Sequence, residues 1–121
     1  MQLNKSDQTW TINTEEKDNQ LALINIIRFL DTVNEEINST KKADLNLEFD
    51  LTTLHSANSE LIAQFVILQT SLVRYNGRLK IINANLELKS IFDVVMLDKI
   101  INIKYLGQTD SGDDGDDLSD E

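Results

Sequence analysis

Apolar and polar residues change their spacing several times along this chain, and each change marks an element. From Leu45 to Leu51 the apolar residues Leu45, Leu47, Phe49 and Leu51 alternate with Asn46, Glu48 and Asp50. A period of two turns one face of a strand toward a core. After a short polar turn the spacing becomes helical, with Leu61, Ile62, Phe65, Val66, Leu68 and Leu72 on one stripe. Where a strand ends and a helix starts, free backbone N–H groups and the positive end of the helix dipole meet at the surface. Asn58, Ser59 and Glu60 occupy that junction, so the segment 49–62 is the first place to look for a site.

The same reading extends to both sides. Two short strands near 2–4 and 9–13 are joined by the polar turn Lys5–Gln8. Asp18 or Asn19 is placed to cap a helix that runs to about Asn38, with Leu21, Leu23, Ile24, Ile27, Leu30, Val33 and Ile37 as its apolar stripe. The helix that starts near Ser59 ends at about Tyr75, where Asn76–Gly77 follows and Gly77 suits a left-handed cap. A strand over 78–83 comes next. Asn85 then caps a helix to about Leu97, with Glu87 in its favourable first turn, and a last strand covers Ile100–Tyr105. Strands alternating with helices after an opening hairpin predict an α/β fold: one domain over 1–106, with a mostly parallel sheet of four or five strands and helices packed on it.

Charge alters this picture only at the C-terminus. The chain of 121 residues carries a formal net charge of −10. Residues 108–121 hold seven acidic side chains and no basic one, which leaves 14 acidic against 11 basic in 1–107. An acidic, glycine-containing stretch with Leu118 as its one apolar residue is expected to be a disordered tail, over 107–121. Its spacing does not make a calcium loop of the EF-hand type, because Gly112 falls on a ligand position and the chain stops where the exit helix belongs. No Lys/Arg stripe is present to neutralise phosphates, which argues against nucleic acid. No apolar run approaches ~18 residues, so no membrane span is expected. The N-terminus lacks the layout of a signal peptide, and there is no cysteine. These features together predict a soluble, cytoplasmic protein.

Catalytic chemistry finds no support in the motifs. There is no phosphate-binding glycine loop, no dinucleotide fingerprint, no histidine pair and no serine elbow. Nothing calls for a cofactor or a metal. Asp50 stands at a strand's C-terminal end, where α/β folds place chemistry, but it lacks a partner base and is expected to face solvent. His55 is the single histidine and reads as a turn residue. Trp10 fits either sheet packing or a contact role. Ser59 and Asn58 each fit an ordinary N-cap.

The order of elements and the residues of 47–103 resemble the STAS domain, the fold of bacterial anti-sigma factor antagonists. The resemblance rests on Asp50-Leu51-Thr52, Leu54 and Asn58-Ser59-Glu60-Leu61, where family members carry an Asp-Leu-Ser-like step and then Asp/Asn-Ser-Ser-Gly at a helix start. Gly77 to Asn83 and Ile91 to Ile101 follow in the same order without a gap. In regulated members the second serine of that turn is phosphorylated by a partner kinase. Here Glu60 stands at the phosphoserine position and Leu61 at the glycine. Ser59 matches the first serine and becomes the acceptor only if the register is shifted by one. Met96 replaces another glycine expected near the end of the following helix, and the proline usual at that helix's start is absent, as the chain has none.

What the resemblance implies is a non-catalytic regulatory module that binds another protein through Ser56, Ala57, Asn58, Ser59, Glu60, Leu61, Ile62 and Asp50. The partner it implies is a kinase-type anti-sigma factor, and the process regulation of transcription in a bacterium. A fixed carboxylate at position 60 points to a switch that no longer toggles. Two other occupants of that surface stand beside this one. A STAS-like subunit can support the ATPase of a lipid-transporting ABC complex, and exposed helix faces can form a homodimer.

Overall fold

The strands come together in a five-stranded sheet, in the order β1-β2-β3-β4-β5, in the computed structural model, which describes residues 1–14 and 23–107. β1 (Gln2–Lys5) and β2 (Thr9–Asn13) form an antiparallel hairpin; β3 (Asn46–Asp50), β4 (Arg78–Ala84) and β5 (Asn102–Tyr105) extend the sheet in parallel. The crossovers carry α1 (Leu23–Thr40), α2 (Ser59–Arg74) and α3 (Leu86–Val94), with a 3-10 turn at Leu97–Lys99 before β5. This is the α/β architecture with a mostly parallel sheet that the periodicity predicts.

Each crossover steps to the next strand in the same direction, so the right-handed rule puts all three helices on one face. Burial follows. Trp10, Ile12, Leu47, Phe49, Leu79 and Ile81 are buried under the helices. Their alternates lie on the opposite face, in register across the sheet: Thr9, Asn46 and Arg78 in one row, and Thr11, Glu48, Lys80 and Asn102 in the next. No described helix packs on that polar face.

Three phenylalanines hold the layers together. Phe65 of α2 meets Phe49 of β3 edge-on at 5.5 Å between ring centroids and Phe92 of α3 at 6.1 Å, all three fully buried. Perpendicular contacts of this kind add to the hydrophobic gain of burying the rings. Between α1 and α2 the seam is polar. Asn38 Nδ2 donates to Ser71 Oγ at 3.2 Å, Ser71 Oγ donates to Asn34 Oδ1 at 2.6 Å, and Arg74 donates to Asn38 Oδ1 at 3.1 Å. At the sheet's other end Lys5 pairs with Glu36 of α1 and lies 5.0 Å from the Trp10 ring centre.

The structure corrects several boundaries and roles. Ile24 is exposed and Ile26 buried in α1; at 100° per residue Ile24 lies about 130° round the helix from the stripe's centre. The capping residue expected at Asp18 or Asn19, and the disorder expected in the acidic tail, fall outside the described residues. α2 ends in a Schellman motif whose left-handed residue is Asn76, with φ of 64°, not Gly77. The Gly77 N–H donates to Leu72 O at 2.7 Å. Gly77 serves a different need: a Cβ there would collide with the Leu45 carbonyl oxygen, where β4 passes close to the start of β3.

α3 stops at Val94, short of the expected Leu97, because Met96 takes a left-handed conformation with φ of 56° and ψ of 39°. That break lets Leu97 reach the core, where it is 1% exposed, and it sits where the STAS resemblance expects glycine. β5 accordingly begins at Asn102 and not Ile100.

Phe65→Ala is expected to cost about 3–5 kcal/mol of folding free energy, since it opens a cavity between two other rings; urea unfolding measures it. Met96→Gly should stabilise the chain by roughly 0.5–1 kcal/mol by relieving the left-handed penalty, read as a higher urea midpoint at unchanged slope. The Tyr105 hydroxyl is pushed up to about 12, first by burial and then by the nearby Asp93 and Asp98 carboxylates. Its raised value favours the neutral phenol in the folded state. The resulting stability is therefore present below pH 10 and lost as the pH rises toward 12. Tyr105→Phe should show a shallower loss of stability than the parent over that range.

Candidate functional site

β3 delivers the chain to the site, and Asp50 shapes the exit. Asp50 Oδ1 accepts from the Thr52 backbone N–H at 2.9 Å and from the Thr52 hydroxyl, while Oδ2 accepts from Asn83 Nδ2 at 3.3 Å. An aspartate bonded to the backbone two residues on is a turn former. Asp50 was expected to face solvent without a partner; instead it is half-buried and occupied in closing the turn. Asn83 can reach it because it sits in a left-handed conformation, φ of 58°, where the β4–β5 register shifts. On the other flank, Thr14 Oγ1 donates to Asp50 O at 3.0 Å and accepts from the Thr53 hydroxyl at 3.0 Å.

The next stretch is anchored from α3. Leu54 is 1% exposed and its N–H donates to Leu51 O at 3.0 Å. Asn85 has two tasks. Its Oδ1 caps α3 by accepting from Leu88 N at 3.0 Å, and its Nδ2 donates to Leu54 O at 2.8 Å and lies 3.0 Å from His55 Nδ1. The same ring nitrogen is 3.3 Å from Glu87 Oε1. His55 thus lies in the loop after the Thr52–Thr53 turn, tied to the start of the neighbouring helix.

Asn58 is the N-cap of α2: its backbone is extended, and its Oδ1 accepts from Leu61 N at 2.9 Å. That assignment orders everything after it. Ser59 and Glu60 become the first two helical residues, and both are exposed. Leu61, where the resemblance expects glycine, is fully buried. Ala57 and Ile62 are partly buried against the core, and Ser56 is exposed. The structure therefore brings Ser56, Ser59 and Glu60 to the surface at one helix start. It places Asn58 and Leu61 in structural roles there and holds Asp50 back in the turn below.

The sequence reading missed how this surface continues. Along the outer side of α2, Ala63 is exposed, Ile67 is 42% exposed and Val73 is 47% exposed. The signal was present, since these positions fall off the stripe formed by Leu61, Phe65, Leu68 and Leu72. Gln69 was missed too. Its Oε1 accepts from Leu79 N at 2.8 Å and its Nε2 donates to Ile100 O at 3.0 Å, so one side-chain amide bridges the gap where β5 has not yet joined β4. Among the described residues no three His, Asp or Glu side chains converge as metal ligands, and no helix is long and apolar enough to cross a membrane.

No protein-family model and no curated protein matches the chain. Solved structures do match, among them two of one protein, TM1081 of Thermotoga maritima. Its NMR structure superposes with a TM-score of 0.63 at 14% identity, over 85% of this chain and 78% of that one. The crystal structure, described as that of a proposed anti-sigma factor antagonist, gives a TM-score of 0.63 at 18% identity, over 91% and 87%. At such identities the likeness speaks for the fold, and it agrees with the element order above. This chain shares the α/β fold of TM1081.

Proposed function

We propose that this domain is a non-catalytic regulatory module that binds a kinase-type anti-sigma factor through the 56–62 turn and the outer face of α2, with its switch position held permanently as Glu60. The observation that carries the reading is the exposed pair Ser59–Glu60 at the start of α2, continuous with Ala63 and Ile67 along the same helix. A charged tip that runs into an apolar strip has the composition of a protein contact, with a polar rim beside an apolar centre. Glu60 is favourable at the helix N-terminus. It offers one charge and two oxygens where phosphoserine offers nearly two charges and three, so it copies the phosphorylated state incompletely. The proposed module would act in the cytoplasm and be tuned by partner concentration.

Affinity capture followed by mass spectrometry tests the partner. An anti-sigma factor kinase is the expected catch; a transporter ATPase in its place would overturn the reading in favour of an ABC-complex subunit. Ile67→Asp should weaken the captured complex by at least about tenfold, about 1.4 kcal/mol, while changing stability by no more than ~0.5 kcal/mol because the site is exposed. With the cognate kinase and ATP, no phosphate is expected on residues 55–62 of the parent chain, whereas Glu60→Ser should gain it. Phosphate on Ser59 of the parent would show that the switch survives one position earlier.

A further inference from the structure

The face of the sheet that no described helix covers carries a cavity of about 600 Å³. Its lining includes Asn46 and Glu48 of β3, Arg78 and Lys80 of β4, and Asn102 of β5, with Gln69 reaching it through the gap between β4 and β5. This lies at the N-terminal ends of the parallel strands, away from the 56–62 turn. The charge here runs against that of the whole chain. Arg78 and Lys80 face one carboxylate, Glu48, in a protein of net charge −10. Glu48 lies in register beside Lys80, but the row of Thr9, Asn46 and Arg78 contains no acid at all. Arg78 donates one Nη1 bond to Gly77 O at 2.6 Å; the rest of its fork can take a carboxylate.

We propose that the acidic segment 108–121 of this same chain folds back over the open sheet face and seats its aspartates on Arg78 and Lys80. The segment supplies Asp110, Asp113, Asp114, Asp116 and Asp117 with no basic residue among them. It leaves the fold at the C-terminal end of β5, at the opposite end of the sheet from the cavity, so its length has to bring it back. Leu106 N makes the last bond to β4, at Ala84 O, and Gly107 follows with φ of 90°, a conformation that turns the chain cheaply only at glycine. The reach is sufficient. From Leu106 back to the level of Asn102 is about 13 Å at the strand rise of roughly 3.3 Å per residue. An extended chain from Gly107 arrives at Asp113 after about 20 Å. Single exposed ion pairs are weak, so docking depends on several aspartates held near the face by the tether, at an effective concentration of about millimolar. The occupied face would then be released by salt or by a competing acidic ligand. This inference does not rest on the partner proposed for α2, and its test does not involve that partner.

The chain has no cysteine, so Ser119→Cys accepts a single nitroxide label on the full-length protein. At about 50 mM salt the label should at least halve the amide signals of Asn46, Arg78, Lys80 and Asn102 while sparing Arg28 on the outer side of α1. The effect should vanish near 1 M salt, where the screening length falls to about 3 Å, and in Arg78→Glu. Should Arg78→Glu unfold, the Asp→Asn changes at 113, 114, 116 and 117 remove the same attraction without touching the sheet. Broadening that is even over the surface, concentrated on the helices, or insensitive to salt would overturn the proposal. So would broadening that appears only between labelled and isotope-enriched copies, which would assign the face to a second molecule.

Discussion

Everything in this domain depends on three crossovers that all step the same way across the sheet. A strand with a right-handed twist returns through a helix on one preferred side, so α1, α2 and α3 share a face and the other face is left polar. One-sidedness explains the strict alternation within each strand. Trp10, Leu47 and Leu79 reach the helices, whereas Thr9, Asn46 and Arg78 cannot. A doubly covered parallel sheet would read as continuous apolar runs. The same constraint creates two surfaces of different character, the outer side of the helix layer and the sheet face that no described helix covers.

α2 is the element through which these surfaces communicate. Its inner side holds Phe65 between Phe49 and Phe92, its N-terminus presents Ser59 and Glu60, and its Gln69 closes the gap between β4 and β5. The seam to α1 is locked by the chain of bonds from Asn34 through Ser71 and Asn38 to Arg74. Directional bonds in a helix seam fix register, because a slip would leave the nearly buried Ser71 hydroxyl unpaired. The exposed turn is thus mounted on a helix held from three sides.

Left-handed residues mark where the chain has to change course. Asn76 ends α2, Asn83 turns its amide toward Asp50, and Met96 breaks α3 so that Leu97 can be buried. Asparagine tolerates this conformation through local bonding, and methionine does not. Met96 therefore holds a conformation that glycine would suit better, at the position where the resemblance to STAS domains expects glycine. Glu60 and Leu61 tell a complementary story. Leu61 fills core space where the resemblance expects glycine, while Glu60 stays exposed in the first turn of α2 and presents a charge.

The periodicity of 45–51 and 61–72, the asparagines before α2 and α3, and the alternation of strand and helix were legible in the residue order, because spacing, capping and handedness are local rules. Those rules carried the fold and pointed to the 56–62 turn. Other features needed the folded chain. Asn58 and Ser59 are equal candidates to cap α2 by composition; the folded chain decides for Asn58, whose backbone is extended and whose Oδ1 accepts from Leu61 N. Asp50 read as solvent-facing until Asn83, 33 residues later, was seen to bond it. Gly77 was assigned a left-handed turn when its real constraint is the Leu45 carbonyl arriving from another strand. The cavity beside Arg78 and Lys80 belongs to no segment, since four strands contribute to it. Sequence by itself determined the elements and the face each one buries, because those follow from neighbours along the chain. Tertiary structure alone decided which polar groups meet, because such meetings depend on register between strands and on distances that no local pattern encodes.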